Sequence, residues 1–338
     1  MKNIAPSRLL ITGCSGFVGS YLLAACHQRY PDALLYGLGR RSAPLSPDVP
    51  VISLEADLLD QRQVRQAIAQ ARPDVVFHLA AQSSVAASWD DPVGTLRINA
   101  GGAVHLFEAL LAKGLASAVV LVGSGEQYGL VLPEENPIKE ECSPRPANPY
   151  AVSKAAQDLY GSHYFAAHGL PIVRVRPFNH FGPGQKAAFV IASFARQIAL
   201  IEAGKLEPVL SVGNLQAQRD FLPVEDVVSA YLALAEQGQP GVAYNVGSGC
   251  ARSIEDILQQ LLVLSSVSIS VHIDPARLRP ADVPKLVADT SRVQVDTSWR
   301  PKIDFTQALR RTLEYWRATV AAEWLHRRNR DELRRVPV

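Results

Sequence analysis

Short apolar runs alternate with amphipathic segments through the first half of the chain. Six of the runs are rich in Val, Ile and Leu and predict strands at 8–13, 33–40, 50–58, 74–81, 117–124 and 171–178. Near-continuous apolar runs are typical of strands that are buried on both faces of a parallel sheet. The intervening segments predict helices at 17–29, 60–71, 92–113 and 149–168. We therefore predict an α/β fold built on a doubly wound parallel sheet of the Rossmann type.

The pattern loosens after about residue 180, and the second half has fewer long apolar runs. Its pattern predicts helices at 188–203, 224–237, 253–265 and 305–325, and short strands at 243–249 and 268–273. The sequence SIED at 253–256 resembles a helix capping box, with Asp256 at the position where Glu or Gln is usual.

This change of pattern suggests a domain organisation. We expect residues 1–180 to form a dinucleotide-binding domain that also carries the catalytic residues. Residues 181–325 are expected to form mainly a smaller C-terminal α/β lobe that binds the substrate and interleaves with the sheet domain. Residues 326–338 form a basic tail. We interpret the tail as a solvated helix end rather than an RNA-binding patch, because runs of charge are mostly solvated.

Composition excludes several classes of protein. The 338 residues are 48% hydrophobic and 20% charged, which argues against disorder, and the net charge of +2 does not indicate nucleic acid or a membrane as partner. No apolar stretch reaches the ~18 residues that a membrane span needs, and we expect no signal peptide. The four cysteines form no CxxC pair and the eight histidines show no metal-ligand spacing. We therefore expect a cytoplasmic protein with reduced thiols and no metal.

The sequence GCSGFVG at 13–19 places three glycines between a predicted strand and a predicted helix. Glycines at this spacing let the chain turn tightly and let backbone N–H groups approach a diphosphate at the start of the helix. The sequence therefore predicts a dinucleotide site. The expected cofactor contacts in this loop are Gly13, Ser15, Gly16, Phe17, Val18 and Gly19.

The end of the second predicted strand indicates which dinucleotide binds. An acid at this point favours a free ribose 2′-hydroxyl, whereas an arginine accommodates a 2′-phosphate. The strand ends in Arg40 and Arg41 with no carboxylate, so we predict NADP(H), with NAD(H) as the alternative. Residues that follow the third and fourth strands are also expected beside the cofactor: Asp57, Leu58, Leu79, Ala80 and Ala81.

The sequence YAVSK at 150–154 puts Tyr150 and Lys154 on one face of a predicted helix. A phenol with a pKa of about 10 is a poor acid–base catalyst at neutral pH, and we expect the neighbouring ammonium to lower that pKa. Ser124, at the end of the fifth predicted strand, is expected to hydrogen-bond the same substrate oxygen. Glu126 follows it either as a further catalytic group or as a support for the loop.

The glycine loop, the sequence HLAA at 78–81, Ser124 and the YxxxK pair together resemble the extended short-chain dehydrogenases/reductases that act on nucleotide sugars. The resemblance extends through about residue 318. It implies that the tyrosine transfers a proton to or from the sugar oxygen and that the lysine also binds the nicotinamide ribose. Asn99 and Pro177 are implied to lie near the cofactor, and in this family the asparagine is usually structural or positions a water.

The same resemblance implies an assembly. The predicted helices at 92–113 and 149–168 match those that pair two subunits into a four-helix bundle in this family. A homodimer is therefore implied, with a tetramer as the alternative.

Two later blocks, VGNLQAQRDF at 212–221 and RLRPADVP from residue 277, resemble the subgroup that handles GDP-mannose and its 4-keto-6-deoxy derivative. Arg219 and Arg279 have the chemistry to clamp a diphosphate, and Asp282 stands where a Glu that binds a ribose hydroxyl is commoner. The resemblance implies a GDP-sugar as substrate. It implies further substrate contacts at Ser83, Glu126, Asn179, Val190, Arg196 and Asn214.

Two reactions compete within this subgroup. A 4-reductase delivers hydride to a C4 ketone with Tyr150 as the acid, whereas a 4,6-dehydratase also uses an acid at the position of Glu126. Gly125 offers no side chain to assist dehydration, and the surrounding blocks favour the reductase. We therefore predict NADPH-dependent reduction of GDP-4-keto-6-deoxy-D-mannose to GDP-D-rhamnose. GDP-mannose 4,6-dehydration is the main alternative, ahead of UDP-sugar 4-epimerisation and of a non-catalytic NADP(H)-binding regulator.

Overall fold

The computed structural model describes residues 6–40, 48–277 and 283–333, with side chains of the last helix as far as residue 324. Its strands are β1 Arg8–Thr12, β2 Leu34–Gly39, β3 Val51–Glu55, β4 Val75–His78, β5 Ala118–Val122, β6 Ile172–Pro177, β7 Asn179–Phe181, β8 Val209–Val212, β9 Gln218–Pro223, β10 Ala243–Val246, β11 Ala251–Ser253, β12 Ser270–Ile273 and β13 Lys285–Leu286. Its helices are α1 Phe17–Arg29, α2 Gln61–Ala71, α3 Val85–Asp90, α4 Pro92–Leu96, α5 Gly102–Ala112, α6 Pro149–His168, α7 Val190–Glu202, α8 Val224–Gln237, α9 Ile254–Val263, α10 Ser291–Thr297 and α11 Phe305–Leu333.

Seven parallel strands form the central sheet in the order β10-β6-β5-β4-β1-β2-β3. Ile11 of β1 pairs with Gly37 of β2 on one side and with Phe77 of β4 on the other. The chain order therefore reverses between β1 and β4. In open α/β sheets such a reversal creates a crevice at the carboxyl ends of the strands, where ligands bind. The predicted doubly wound parallel sheet is confirmed.

Alternate residues of the strands face opposite sides of the central sheet and build a core on each side. Leu9 and Ile11 of β1 pack against α1 and α8, whereas Leu10 belongs to the core formed with α2, α5 and α6. Burying one such aliphatic side chain contributes ~1.5–3 kcal/mol. The two cores hold α1, which follows the glycine loop, and α6, which carries the YxxxK pair, against opposite faces of one sheet.

The C-terminal lobe is organised around β9. This strand pairs in parallel with β7 and β13 and antiparallel with β11, while β8 and β12 form a separate parallel pair. Helices α7, α9 and α11 pack on this lobe around buried side chains that include Phe181, Ile198, Leu258 and Leu309. Because Asn179 on β7 pairs with Phe221 on β9, the lobe joins directly to the carboxyl edge of the central sheet.

Most of the predicted elements are present, and the differences have physical causes. The strand predicted at 243–249 joins the central sheet beside β6 rather than the small lobe. The helix predicted at 92–113 is divided by a π-helical turn at Arg97–Gly101, and a short helix precedes it. Some strands of two to six residues carry no long apolar run, and the sequence pattern missed them: β7, β8, β9, β11 and β13.

Only one half of the predicted capping box forms among the described contacts. Ser253 Oγ accepts a hydrogen bond of 2.9 Å from the backbone N–H of Asp256 and so caps α9. The return bond from the side chain at 256 to the capping residue is not made. Asp is one methylene shorter than the Glu of a complete box, which accounts for the difference.

Within the described ranges, no helix is long and apolar enough to cross a membrane. The same residues hold no group of three or more His, Cys, Asp or Glu side chains that is arranged to bind a metal ion. All four cysteines are free thiols.

Candidate active site

Two glycines of the GCSGFVG loop are required by close backbone approaches. Gly13 has a φ of 71°, and a Cβ there would lie 2.9 Å from the backbone nitrogen of Ala80. A Cβ at Gly19 would lie 2.3 Å from the carbonyl oxygen of Gly13. Only glycine therefore allows β1, the loop and α1 to pack at this distance from the end of β4.

The start of α1 has the properties of an anion site. Its N-cap, Gly16, has no side chain to cap the helix, and no acidic residue occupies the first turn. Ser15 and Gly16 are exposed, and Phe17 and Val18 are half-buried. Uncapped N–H groups and the positive end of a helix dipole favour a phosphate group, so this loop fits the diphosphate of a dinucleotide.

Thr12 connects the glycine loop to the end of β4. Its Oγ1 accepts a hydrogen bond of 3.1 Å from the N–H of Ala80 and lies 2.9 Å from Nδ1 of His78. His78 is fully buried, and burial, together with the charge of Lys154, lowers its pKa to about 3. The imidazole is therefore neutral. The adjacent Leu79, Ala80 and Ala81 are half-buried, and the small side chains of the two alanines leave room for a cofactor beside the loop.

The predicted adenosine contacts differ in their surroundings. Arg40 is exposed at the carboxyl end of β2, whereas Arg41 lies outside the described residues. Asp57 is half-buried, and its carboxylate accepts a hydrogen bond of 2.9 Å from the N–H of Leu59. Leu58 is buried in the core against Gly102 of α5, so its side chain packs away from the crevice.

The amino end of α6 positions Tyr150. Asn148 caps this helix by accepting a hydrogen bond of 2.8 Å from the N–H of Ala151. The N–H of Tyr150 donates to Ser88 Oγ at 3.1 Å. The phenol of Tyr150 is buried and lies close enough to the side chain of Ser124, which follows β5, for Ser124 to affect its pKa. The structure thus brings together two of the predicted catalytic residues from different elements.

The expectation that the ammonium of Lys154 lowers the pKa of Tyr150 is wrong. Burial raises the pKa of Tyr150 to about 12, against the opposing effect of the nearby Ser124 side chain, and the charge of Glu126 raises it as well. Burial also lowers the pKa of Lys154 to about 7, so its charge is only partial near neutral pH. Tyr150 is therefore a protonated phenol, which is a proton donor.

Lys154 links α6 to β5. Its Nζ donates one hydrogen bond of 2.8 Å to the carbonyl oxygen of Val122 and another of 2.8 Å to Oε1 of Gln157. An ammonium has three N–H donors, so one remains for the reacting groups. Gln157 is a site residue that the sequence motifs do not indicate. The signal available was an amide three residues after a catalytic lysine, which lies on the same helix face.

The side chain of Asn99 hydrogen-bonds other parts of the fold. It lies in the π-helical turn and is fully buried. Its amide donates to Ser153 Oγ at 2.8 Å and to the carbonyl of Gln82 at 3.0 Å, and it accepts from the N–H of Gln82 at 2.8 Å. These bonds fix α6 and the segment after β4. Pro177, the other residue implied to lie near the cofactor, is buried at the end of β6.

Glu126 and Gly125 lie in the 3₁₀ turn at Gly125–Tyr128 that follows Ser124. The N–H of Glu126 donates to Ser124 Oγ at 3.2 Å, and the half-buried carboxylate is close enough to raise the pKa of Tyr150. A Cβ at Gly125 would lie 2.9 Å from the ring of Phe178. The aromatic ring therefore fills the space that a side chain at position 125 would need.

The predicted substrate residues are spread from the sheet edge into the small lobe. Asn179 starts β7 and is half-buried, and Val190 starts α7. Arg219 on β9 is buried and donates to the carbonyl of Gln218 at 2.9 Å. The guanidinium carbon of Arg196 lies 5.9 Å from the ring centre of Trp316. Of the remaining substrate candidates, Ser83 and Asn214 are exposed. Arg279 and Asp282 lie outside the described residues.

Known proteins resemble this chain over nearly its whole length. The family described as GDP-mannose 4,6 dehydratase matches residues 10–312. GDP-6-deoxy-D-mannose reductase from Pseudomonas aeruginosa is 41% identical over 319 residues, covering 94% of this chain and 99% of its own. Human dTDP-D-glucose 4,6-dehydratase is 28% identical over 324 residues, covering 92% of this chain and 90% of its own. A solved structure described as RMD from Pseudomonas aeruginosa complexed with NADPH matches with a TM-score of 0.82 and 35% identity, covering 93% of this chain and 98% of that one. The chain therefore belongs to the GDP-mannose 4,6 dehydratase family.

Proposed function

We propose that this protein is a reductase that uses NADPH to convert GDP-4-keto-6-deoxy-D-mannose to GDP-D-rhamnose. The observation that carries the choice of reaction is the 41% identity, across 94% of the chain, with the reductase of Pseudomonas aeruginosa. The geometry supports the same chemistry, because Ser124 and Tyr150 lie close together after β5 and Lys154, one helical turn after Tyr150, contacts the end of the same strand.

Tyr150 is the proposed general acid. Its pKa of about 12 keeps the phenol protonated at neutral pH. As the C4 carbonyl accepts hydride, its oxygen gains negative charge and becomes more basic than a phenolate, so the phenolic proton moves to that oxygen. The hydroxyl of Ser124 donates a second hydrogen bond to the same oxygen while the charge develops. When bound, NADPH would supply the hydride from nicotinamide C4.

Lys154 is proposed to stabilise the phenolate that proton transfer leaves behind. Val122 and Gln157 hold two of its protons, so the third N–H is directed away from these acceptors. This role requires the ammonium form. Because the pKa of Lys154 is about 7, the charged fraction falls as the pH rises through neutrality, and the rate is expected to fall with it.

A 4,6-dehydratase is the second candidate, and Glu126 is the observation that favours it. Its carboxylate lies close to Tyr150, where a base that removes the C5 proton would be needed. The packing of Phe178 against Gly125 argues against this candidate, because no side chain at 125 can assist the departure of the C6 hydroxyl. The complete set of Ser124, Tyr150 and Lys154 argues against a non-catalytic regulator.

We infer that NADP(H) is the preferred cofactor and that NAD(H) is the alternative. Arg40 is exposed at the end of β2, where a guanidinium can pair with a ribose 2′-phosphate. The Pseudomonas aeruginosa structure that the chain resembles was determined with NADPH.

We also infer a homodimer, with a tetramer as the alternative. Helices α3 and α4 pack on α6, and the three helices expose large apolar side chains. These are Trp89, Val93, Leu96, Val152, Leu159 and Tyr160. An exposed apolar surface of this kind favours association, and both helices that the family resemblance singles out contribute to it.

A cytoplasmic location is inferred from the free thiols and is testable by cell fractionation.

The division into residues 1–180, residues 181–325 and a basic tail at 326–338 is likewise a proposal. Limited proteolysis followed by mass spectrometry would test it.

The reaction is tested by supplying each candidate substrate. With GDP-4-keto-6-deoxy-D-mannose and NADPH we expect GDP-D-rhamnose, identified by NMR, and with GDP-mannose alone we expect no reaction.

Tyr150→Phe should lower kcat by about 10²–10⁴-fold, because it removes the proton donor. Glu126→Gln should keep most of the reductase activity. Formation of a 4-keto sugar from GDP-mannose, lost in Glu126→Gln, would establish the dehydratase instead.

A matched pair of variants at Gln157 tests the role of Lys154. Gln157→Leu removes an acceptor that favours the ammonium, so the basic limb of the kcat–pH profile should move to lower pH. Gln157→Glu adds a negative charge and should move the limb to higher pH. Gln197→Leu, which removes an amide hydrogen-bonded to Ser211 in the other lobe, serves as the control. Equal profiles in all four proteins would contradict the role given to Gln157.

The cofactor preference is tested by Arg40→Asp. Loss of the guanidinium and introduction of a carboxylate should lower kcat/KM for NADPH by at least about tenfold relative to NADH, since charge-assisted hydrogen bonds contribute ~1.5–3 kcal/mol. Arg72→Asp makes the same charge change at the end of α2 and should leave the ratio unchanged. An unaltered NADPH:NADH ratio in Arg40→Asp would exclude a phosphate contact at this residue.

The dimer is tested by light scattering after size-exclusion chromatography. Leu159 is 65% exposed on α6, and Leu159→Arg should convert the dimer to a monomer, because the charge would be buried in the interface. Val263→Arg places the same charge at an 83% exposed position on α9 and should leave the mass unchanged. A dimer that survives Leu159→Arg would mean that the subunits associate through another surface.

A further inference from the structure

A buried arginine on β6 connects α6 to the turn that follows β5. Arg176 is 5% exposed. Its Nη1 donates to the hydroxyl of Tyr128 at 2.8 Å and to the carbonyl oxygen of Glu140 at 2.9 Å. Its Nε and Nη2 donate to the carboxylate of Asp158 at 3.2 Å and 2.9 Å. A buried charge is costly unless it is paired and hydrogen-bonded, so these contacts fix the guanidinium to the elements that supply its acceptors.

On one side, the partner of Arg176 belongs to α6. Asp158 is 4% exposed and lies one helical turn after Lys154, on the same face of the helix. Burial raises the pKa of Asp158, but the hydrogen bonds and charges of Arg176 and Arg174 outweigh this effect and hold the pKa below its ordinary value. Arg174 Nη1 donates to the same carboxylate at 2.7 Å. The carboxylate is therefore charged at neutral pH and attaches α6 to β6 through two arginines.

On the other side, Arg176 contacts two residues of the 3₁₀ turn that follows Ser124. Gln127 and Tyr128 are both fully buried. The Tyr128 hydroxyl accepts from Arg176 and donates to Oδ1 of Asn245 at 2.7 Å. With its amide oxygen facing Arg176, Gln127 accepts from Nε at 2.8 Å and donates to the carbonyl oxygen of Ser124 at 3.2 Å. The guanidinium thus reaches the backbone of Ser124 through a single side chain.

We propose that Arg176 is a positioning residue that sets the orientation of the Ser124 hydroxyl relative to Tyr150. The proposal rests on the proposed function only for the identity of the reaction. Lys154 attaches α6 to the end of β5, whereas Arg176 holds α6 against the turn beyond that strand. A planar guanidinium directs its N–H groups along fixed angles, so it fixes the turn in angle as well as in distance. Two hydroxyls on different elements that act on one substrate oxygen need both.

Removal of one hydroxyl tests this role. Tyr128→Phe keeps the ring and leaves Arg176 paired with Asp158, but it removes a direct bond between the guanidinium and the turn. We expect kcat to fall about tenfold or more while KM stays within about twofold. The reason is that misalignment of Ser124 weakens the transition state more than it weakens substrate binding.

Tyr244→Phe is the matched control for the loss of a buried, hydrogen-bonded hydroxyl. Tyr244 is also fully buried, and its hydroxyl donates to Asp296 at 2.6 Å. It precedes Asn245 on β10, so its side chain projects from the opposite face of the sheet. This variant should lose thermal stability as Tyr128→Phe does, measured as Tm, and keep the kcat of the wild type.

A kcat for Tyr128→Phe within about twofold of the wild type would overturn the proposal, as would an equal loss of kcat in Tyr244→Phe. If Tyr128→Phe does not fold, Gln127→Met removes the link to Ser124 and should lower kcat in the same way, with Gln197→Met as its control. An unchanged kcat in Gln127→Met would also overturn the proposal.

The test separates this role from the choice of reaction. Both candidate reactions use Tyr150, so if the wild type dehydrates GDP-mannose instead of reducing the 4-keto sugar, the same variants are compared on that reaction. Crystal structures give a readout that needs no turnover: the Ser124 hydroxyl should be displaced relative to Tyr150 in Tyr128→Phe and not in Tyr244→Phe. An undisplaced hydroxyl in Tyr128→Phe would overturn the positioning role.

Discussion

The arrangement of the candidate active site depends on one buried ammonium. Removing a charged lysine from water costs free energy, and two acceptors 2.8 Å away offset part of that cost here, while burial still lowers the pKa of the lysine. One acceptor is the carbonyl of Val122 at the end of β5, and the other is Gln157 on the same helix as the lysine. The hydrogen bonds therefore fix α6 against β5. Because Ser124 follows β5 and Tyr150 begins α6, the same contact sets the distance between the two hydroxyls.

The glycine loop is attached to this arrangement through β4. Gly13 packs against the backbone of Ala80, and Thr12 joins the N–H of Ala80 to the imidazole of His78. His78 is kept neutral by burial and by the charge of Lys154, so it adds no second positive charge beside the ammonium. The carboxyl ends of β1, β4 and β5 are thus tied to one another by short polar contacts. These contacts hold the glycine loop and the phenol in a fixed relation, so a dinucleotide bound at the loop would meet an already positioned proton donor.

The sequence predicts the central sheet well because its strands are buried on both faces and therefore carry continuous apolar runs. It also predicts that Ser124 follows a strand end and that Tyr150 and Lys154 share one helix, because strand ends and helix spacing follow from local sequence; the catalytic roles of these residues stay predictions. The elevated pKa of Tyr150 could not be predicted in this way, since it depends on how deeply the tertiary packing buries both residues. The pairing of β9 with β7, β11 and β13 is set by strand register, which short strands without apolar runs do not reveal.

The family that matches this chain is named for a dehydratase, whereas the proposed reaction is a reduction. The packing of the candidate active site gives a physical reason to favour reduction. Reduction of a ketone requires a hydride and one proton, and a buried phenol with a pKa of about 12 is suited to give that proton. Dehydration requires in addition that a base remove a carbon-bound proton while an acid assists the leaving hydroxyl. Glu126 offers a carboxylate, but the ring of Phe178 occupies the space at Gly125 where another polar side chain would have to stand. The same fold and the same Tyr–Lys pair are therefore compatible with both reactions, and the packing around the turn after β5 favours reduction.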